Sequence, residues 1–301
     1  MKSTVLLFAL VIALCPGPTW GAQAFKYPPQ MEGARAEVYK EVGGEKLKLY
    51  LFEPAAGAKT NRPAIVFFFG GGWTNGSPSQ FEKQCRYLAA RGFVAITADY
   101  RVGSRQQVKP TACVADAKSA LRWVRANAAR LGLDPQRIAA GGGSAGGHLA
   151  AAVATLTDFD EPGEDRQISC RPNACVLFNP ALVLAPLSGL DLKSSGERTS
   201  AERFGTAPEK ISPAHHVTSG TAPTLLLHGK ADTTVPFATA EAYSRVMRAA
   251  GNRCDLVGYE GQGHGFFNAN RAGGKYAETV AAMDQFFVSL GWLKPEVNDR
   301  R

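Results

Sequence analysis

Ser144 is framed as Gly142-Gly143-Ser144-Ala145-Gly146, after the apolar run Arg137-Ile138-Ala139-Ala140 and before the helix-like stretch Gly147-His148-Leu149-Ala150-Ala151-Ala152. This is the GxSxG pattern of a nucleophile elbow. A serine at a tight strand-to-helix turn needs small neighbours, because larger ones would strike the adjacent backbone. The turn lifts the hydroxyl clear of a sheet and aims the first free N–H groups of the next helix at a developing oxyanion.

Such a hydroxyl attacks only when a base takes its proton, and the base needs a carboxylate to fix its tautomer. Both lie downstream. Pro223 to Asp232 reads as a buried parallel strand that delivers Asp232 into a loop at its C-terminal end. His264 stands among glycines in Gly261-Gln262-Gly263-His264-Gly265-Phe266-Phe267, where a histidine has no packing duty. The chain order Ser144, Asp232, His264 is that of α/β-hydrolases, not of the chymotrypsin or subtilisin folds. Asp255 and Glu260 compete as the acid, but neither follows a buried strand at that place, and Glu260 could stand behind His264. Asp99 and Asp116 precede the serine and read as structural. Of the other histidines, His148 reads as a packing residue, and His215, His216 and His228 lack the loop setting of His264.

Upstream, Ala64-Ile65-Val66-Phe67-Phe68-Phe69 reads as a buried strand opening into Gly70-Gly71-Gly72-Trp73. Glycines let the backbone expose bare N–H donors. The N–H groups of Gly71 and Gly72, with that of Ala145, are the expected oxyanion hole, and each such donor is worth about 2.7 to 4 kcal/mol in comparable sites. Trp73, Phe237, Phe266 and Phe267 flank these loops. They are either walls of the substrate pocket or ordinary core aromatics. Arg101 reads as a brace of the oxyanion loop.

These motifs, with Ala98-Asp99-Tyr100-Arg101 and Asp116-Ala117-Lys118-Ser119-Ala120, resemble the hormone-sensitive-lipase-like group of α/β-hydrolase esterases. The likeness is to the bacterial branch that includes bifunctional feruloyl and acetyl-xylan esterases. The resemblance implies a Ser-His-Asp esterase that takes small esters or acylated polysaccharide, with no cofactor. In one place the chain departs from the family pattern: Phe69 stands where the family has a histidine before the glycines. The donors are backbone, so the hole is expected to survive; either aromatic packing by Phe69 braces the loop or the loop is looser. A serine peptidase of the prolyl-oligopeptidase type shares the triad order, but no propeller segment precedes the core and no site for a peptide terminus is visible. A hydrolase fold kept for binding is the third reading, since fold alone does not establish function.

The elements that must position these residues alternate strand and helix, as in an α/β doubly wound sheet with helices on both faces. The hydrophobic pattern predicts an N-terminal antiparallel hairpin over residues 36–52 about Gly43-Gly44 and helices over 79–90, 111–131, 239–250 and 276–290. It predicts further strands over 93–97, 175–178 and 254–259. Residues 181–222 form a polar insertion where such folds carry a small cap, too short for a lipase lid, and residues 158–172 could add cover.

Residues 1–24 read as a signal peptide, with Lys2 ahead of an apolar stretch too short to span a membrane and Ala22-Gln23-Ala24 as the cleavage site. Export to the periplasm or the medium follows, leaving residues 25–301 as one catalytic domain. A formal net charge of +8 is spread over both signs rather than gathered in runs, so neither nucleic acid nor a membrane is an expected partner, and no metal-ligand spacing is visible. In an oxidising compartment Cys170 and Cys175 could form a disulfide, or Cys175 could simply be buried. Cys85, Cys113 and Cys254 read as small buried hydrophobes.

Overall fold

A computed structural model describes residues 27–55, 57, 60–190 and 199–296. The expected signal peptide lies outside the described residues, as does the middle of the cap segment. The chain opens with strands β1 (Arg35–Val42), β2 (Glu45–Phe52) and β3 (Arg62–Phe68), then a 3-10 turn at Pro78–Phe81 and helix α1 (Glu82–Ala90). Strand β4 (Val94–Ala98), the short helix α2 (Gly103–Gln106) and the long helix α3 (Pro110–Ala126) follow. Next come β5 (Leu133–Gly143), α4 (Ala145–Thr155), β6 (Ala174–Phe178), and the short helices α5 (Ala201–Phe204) and α6 (Pro208–Ile211). Strand β7 (Thr224–Gly229), α7 (Phe237–Ala249), β8 (Cys254–Tyr259) and α8 (Tyr276–Ser289) complete the order.

One eight-stranded sheet runs β1-β2-β4-β3-β5-β6-β7-β8. The β1–β2 hairpin is antiparallel, as predicted, with Gly43 and Gly44 supplying the positive φ angles of its turn, and β2 also meets β4 antiparallel. The remaining neighbours pair in parallel. Parallel strands are covered on both faces, and the alternation of side chains shows how. In β3, Ile65 and Phe67 join the core under α1 and α8, whereas Ala64, Val66 and Phe68 join the core under α3, α4 and α7.

Two element boundaries depart from the expectation. The helix over 111–131 ends at Ala126, because residues after Asn127 turn back toward Gly132, whose φ of +63° carries the reversal. Strand β5 begins at Leu133 rather than near Arg137, paired through Arg62 of β3. The cysteines at 85, 113, 170, 175 and 254 are all free thiols and all buried, so the Cys170–Cys175 disulfide is not formed. Cys175 lies inside β6, where its side chain is committed to the core. No described helix is long and apolar enough to cross a membrane.

Candidate active site

The glycines of the elbow are needed for close packing. Ser144 has φ 54° and ψ −118°, a strained conformation for a residue with a side chain, and it stands at the N-cap of α4. A β-carbon on Gly142 would lie 2.4 Å from the Gly146 carbonyl oxygen, and one on Gly146 would lie 2.0 Å from that of Phe68. One on Gly143 would lie 2.3 Å from the ring of Phe267. The Ser144 N–H donates to the Phe178 carbonyl at 2.9 Å, which ties the turn to the end of β6.

His264 reaches this hydroxyl. Its Nε2 lies 2.9 Å from Ser144 Oγ and its Nδ1 lies 2.7 Å from Asp232 Oδ2. The three residues follow β5, β7 and β8, so the fold gathers them at the C-terminal ends of parallel strands, where open α/β sheets place their sites. The loop before His264 is held against the Asp232 loop by the Ala231 N–H donating to the Gln262 carbonyl at 2.9 Å. A β-carbon on Gly229 would fall 2.2 Å from that same carbonyl oxygen, so glycine permits the crossing.

Asp232 is buried and well furnished with donors. Oδ1 accepts from the N–H groups of Thr234 and Val235 at 2.8 and 2.9 Å, and Oδ2 accepts from the Asn179 amide at 2.6 Å. Burial alone would favour the neutral acid. Hydrogen bonding from His228 and His264, the charge of His264 and the Val235 N–H outweigh it and hold the carboxyl well below its usual range. The His228 contact is the weaker of these. Its Nε2 is 3.4 Å from Asp232 but 2.9 Å from the Val235 carbonyl, to which it donates.

The glycine loop lies against the serine, since a β-carbon on Gly70 would stand 3.3 Å from Ser144 Cβ. The Gly70 N–H is taken by Gln80 Oε1 at 2.6 Å. The N–H groups of Gly71, Gly72 and Ala145 meet no acceptor among the described residues. Positive φ at Gly71 (+126°) and Gly72 (+64°) aims this loop. Phe69 is fully buried and stacks on Tyr100 at 4.0 Å, while the Tyr100 hydroxyl donates to the Phe69 carbonyl at 2.7 Å. Aromatic packing thus takes the bracing role. Arg101 does not brace this loop. It binds Asp116 through two guanidinium nitrogens and reaches Glu161, whereas Arg105 donates to the Gly76 carbonyl at 2.8 Å.

Two of the four pocket candidates need correction. Phe266 and Phe267 are 0% and 1% exposed, packed on Tyr259 and on Phe81 and Phe178, so they offer no face to a substrate. Trp73 is 6% exposed and stands edge-on to His148 and Phe204. Phe237 is partly exposed, its ring steeply inclined to that of His228 at 5.7 Å. His148 is a satisfied core histidine. It accepts from the Trp73 indole at 3.2 Å and donates Nε2–H to the Ile211 carbonyl at 2.8 Å, and burial pulls its pKa down to about 4.

Glu260 pairs with Lys230 and Asp255 with Arg253, both at the surface, so neither stands behind His264. Asp99 and Asp116 are structural, as expected; Asp116 receives Lys40 and Arg101. The loop after Asp158 is tied down on α3, through Lys118 and Arg122 to Asp160 and Arg122 to Glu164. Asn179 and Gln80 were not anticipated. Asn179 directly follows β6 and precedes Pro180, the one signal that could have raised it. Among the described residues no group of three or more His, Cys, Asp or Glu is placed to hold a metal ion.

Known proteins similar to this chain are esterases. Esterase LipC of Mycobacterium tuberculosis is 30% identical over 221 residues, 68% of this chain and 53% of that protein. Carboxylesterase NlhH of the same species is 37% identical over 99 residues, 33% of this chain and 30% of that protein. The chain thus spans about half the length, or less, of these curated relatives. Among solved structures, Thermogutta terrifontis esterase 2 phosphonylated by sarin superposes with a TM-score of 0.87 at 51% identity, covering 90% of this chain and all of that one. The same esterase with propionate bound gives 0.85 at 52% identity, covering 91% of this chain and all of that one. The BD-FAE family model matches residues 49–247. The chain belongs to the BD-FAE family of hormone-sensitive-lipase-like α/β-hydrolase esterases.

Proposed function

We propose that the protein is a serine carboxylic-ester hydrolase for small acyl esters, with acetyl or feruloyl groups on plant polysaccharide as its natural targets. The observation that carries this reading is the unbroken line from Ser144 through His264 to Asp232, at 2.9 and 2.7 Å. His264 takes the Ser144 proton as the oxygen attacks the ester carbonyl, and the ionised Asp232 orients the imidazole and stabilises its cation. The N–H groups of Gly71, Gly72 and Ala145 receive the oxyanion. Collapse expels the alcohol with the proton from His264. Water then attacks the acyl-enzyme with His264 again as base.

A small acyl pocket is supported by the propionate-bound form of the Thermogutta esterase. The short elements described in the cap segment, α5, α6 and the turn at Pro213–His216, support the same reading. In this reading residues 1–24 export the chain, residues 25–301 form one catalytic unit, and no cofactor is needed.

The test is initial rates of residues 25–301 and of Ser144→Ala on esters from acetate to laurate, with acetylated xylan and methyl ferulate. The expected result is activity falling with acyl length and lost by about a million-fold in the variant, as when a triad acts as a unit. Substantial ester turnover by Ser144→Ala would overturn the assignment.

A further inference from the structure

Four arginines packed around this core meet carboxylates. Arg91 meets Asp284, Arg101 meets Asp116, Arg105 meets Asp99 and Arg122 meets Asp160. Arg203 differs. Among the described residues no carboxylate lies within ion-pair distance of its guanidinium, and its side-chain donors make no hydrogen bond there. Its charge rests over the Trp73 ring, 5.7 Å from the centroid. A β-carbon on Gly72 would stand 3.6 Å from its Nη2, so the guanidinium borders the glycine loop on the side of the cap.

That position is fixed by the fold. Helix α5 is capped by Ser200, whose Oγ accepts the Arg203 N–H at 3.2 Å, and closed by Gly205 at φ +76°. The next residue, Phe204, is fully buried edge-on to Trp73. A planar guanidinium held beside the proposed oxyanion loop, partly exposed and with no carboxylate partner among the described residues, matches an incoming carboxylate better than any neutral group.

We propose that Arg203 is a specificity residue that selects esters carrying a negative charge a few bonds from the scissile carbonyl, such as monoesters of dicarboxylic acids or acyl groups on uronic-acid units. This rests on the ester-hydrolase reading and narrows its substrate class. Because the Arg203 charge sits at the loop and not on the hydrogen-bonded Ser144–His264–Asp232 line, its effect belongs in KM for charged substrates, with little change for neutral ones. Salt should weaken it, because a partly exposed pair is screened.

The test compares 4-nitrophenyl hydrogen succinate with its uncharged methyl ester, using the wild-type protein, Arg203→Gln and Arg203→Lys. Acetyl esters of glucuronic acid and of glucose form the second pair, for charge on the alcohol side. The expected result is a KM for one charged ester that rises about tenfold or more in Arg203→Gln and with added salt. The neutral partner should change less than about threefold, and Arg203→Lys should recover part of the preference. Equal effects on charged and neutral esters of both pairs, or no effect on either, would overturn the proposal and leave Arg203 as packing for Trp73. Binding of the same pairs to Ser144→Ala by calorimetry separates the two readings. If no ester is turned over yet a charged one binds tighter through Arg203, ester hydrolysis fails and charge selection stands; equal binding within both pairs overturns charge selection.

Discussion

Gln80 and Asn268, far apart in the chain, join the two loops that face the Ser144 hydroxyl. Gln80 Nε2 donates to Asn268 Oδ1 at 3.0 Å while Gln80 Oε1 holds the Gly70 N–H, and Asn268 Nδ2 donates to the Gly265 carbonyl next to His264 at 2.9 Å. One amide therefore sets the glycine loop and the His264 loop in register with each other. With the Gly70 N–H occupied in this way, the donors proposed for the oxyanion begin at Gly71.

Replacing Gln80 by Leu keeps the volume but leaves the Gly70 N–H without an acceptor. A buried donor left unpaired costs about 1 to 3 kcal/mol. The loss should appear chiefly in kcat, by about tenfold to a hundredfold on a simple acetate ester, since in the proposed mechanism the loop meets the transition state more closely than the ground state. A rise in KM at constant kcat would show that Gln80 shapes substrate binding instead.

Asn179 stands at φ +44°, a conformation that few residues with a side chain adopt, with its amide 2.6 Å from Asp232 Oδ2. Asn179→Ala should lower kcat by about tenfold or more, because a donor to a charged acceptor is lost. Asn179→Asp removes the donor and adds a second carboxyl that resists ionising beside the first. Its deficit relative to Asn179→Ala should therefore be large at pH 8 and shrink toward pH 5. Identical pH–rate profiles for the two variants would mean that Asn179 does not act on the Asp232 carboxylate.

Gly143 and Phe267 form a fitted pair beneath the elbow. Gly143→Ala alone should lower both activity and thermal midpoint, since its methyl would meet the Phe267 ring at 2.3 Å. Gly143→Ala with Phe267→Leu should recover part of that loss, giving a coupling energy of about 1 kcal/mol or more in a double-mutant cycle. Strict additivity would show that the backbone, not the ring, forbids the methyl. Gly146→Ala has no such remedy, because its methyl would meet backbone oxygens.

The sequence displayed the site more fully than its surroundings. Ser144, Asp232 and His264 were legible because each chemistry requires a local signature: small residues about a strained serine, and a buried strand ending in an acid. The parallel strands were legible as apolar runs. Phe266 and Phe267 were misread as pocket candidates because proximity in sequence to the His264 loop says nothing of which way a ring turns; both turn inward, Phe267 against Gly143. Arg105, Gln80 and Asn179 act through contacts between distant segments, and a lone Gln or Asn carries no periodicity that could betray such a contact. The role given to Arg101 failed for a related reason, as Asp116 is a nearer partner on α3 than any carbonyl of the glycine loop.

Two buried groups outside the hydrogen-bonded line of Ser144, His264 and Asp232 should impose opposite pH dependences on stability. Burial pushes the Asp99 carboxyl up to about 6, against the Tyr27 hydroxyl, Arg105 and the Tyr100 N–H, which favour its charge. Between about pH 4 and 6 the folded chain therefore keeps a proton that the unfolded chain has released, and stability falls as pH rises. Burial pulls His148 down to about 4 from an ordinary 6.5. Through that window the unfolded chain binds the extra proton instead, so stability rises with pH. Each shift spans about two units, worth at most about 3 kcal/mol, and the two nearly cancel in the wild-type protein. Asp99→Asn should expose the rising slope and His148→Gln the falling one, with the glutamine amide still able to serve Trp73 and Ile211. Urea unfolding at pH 4.5, 5.2 and 6 checks this above the range where protonation of Asp232, held low in the fold, begins to remove its own stabilisation. Parallel stability profiles for the wild-type protein and both variants would show that neither burial is strong enough to shift its group.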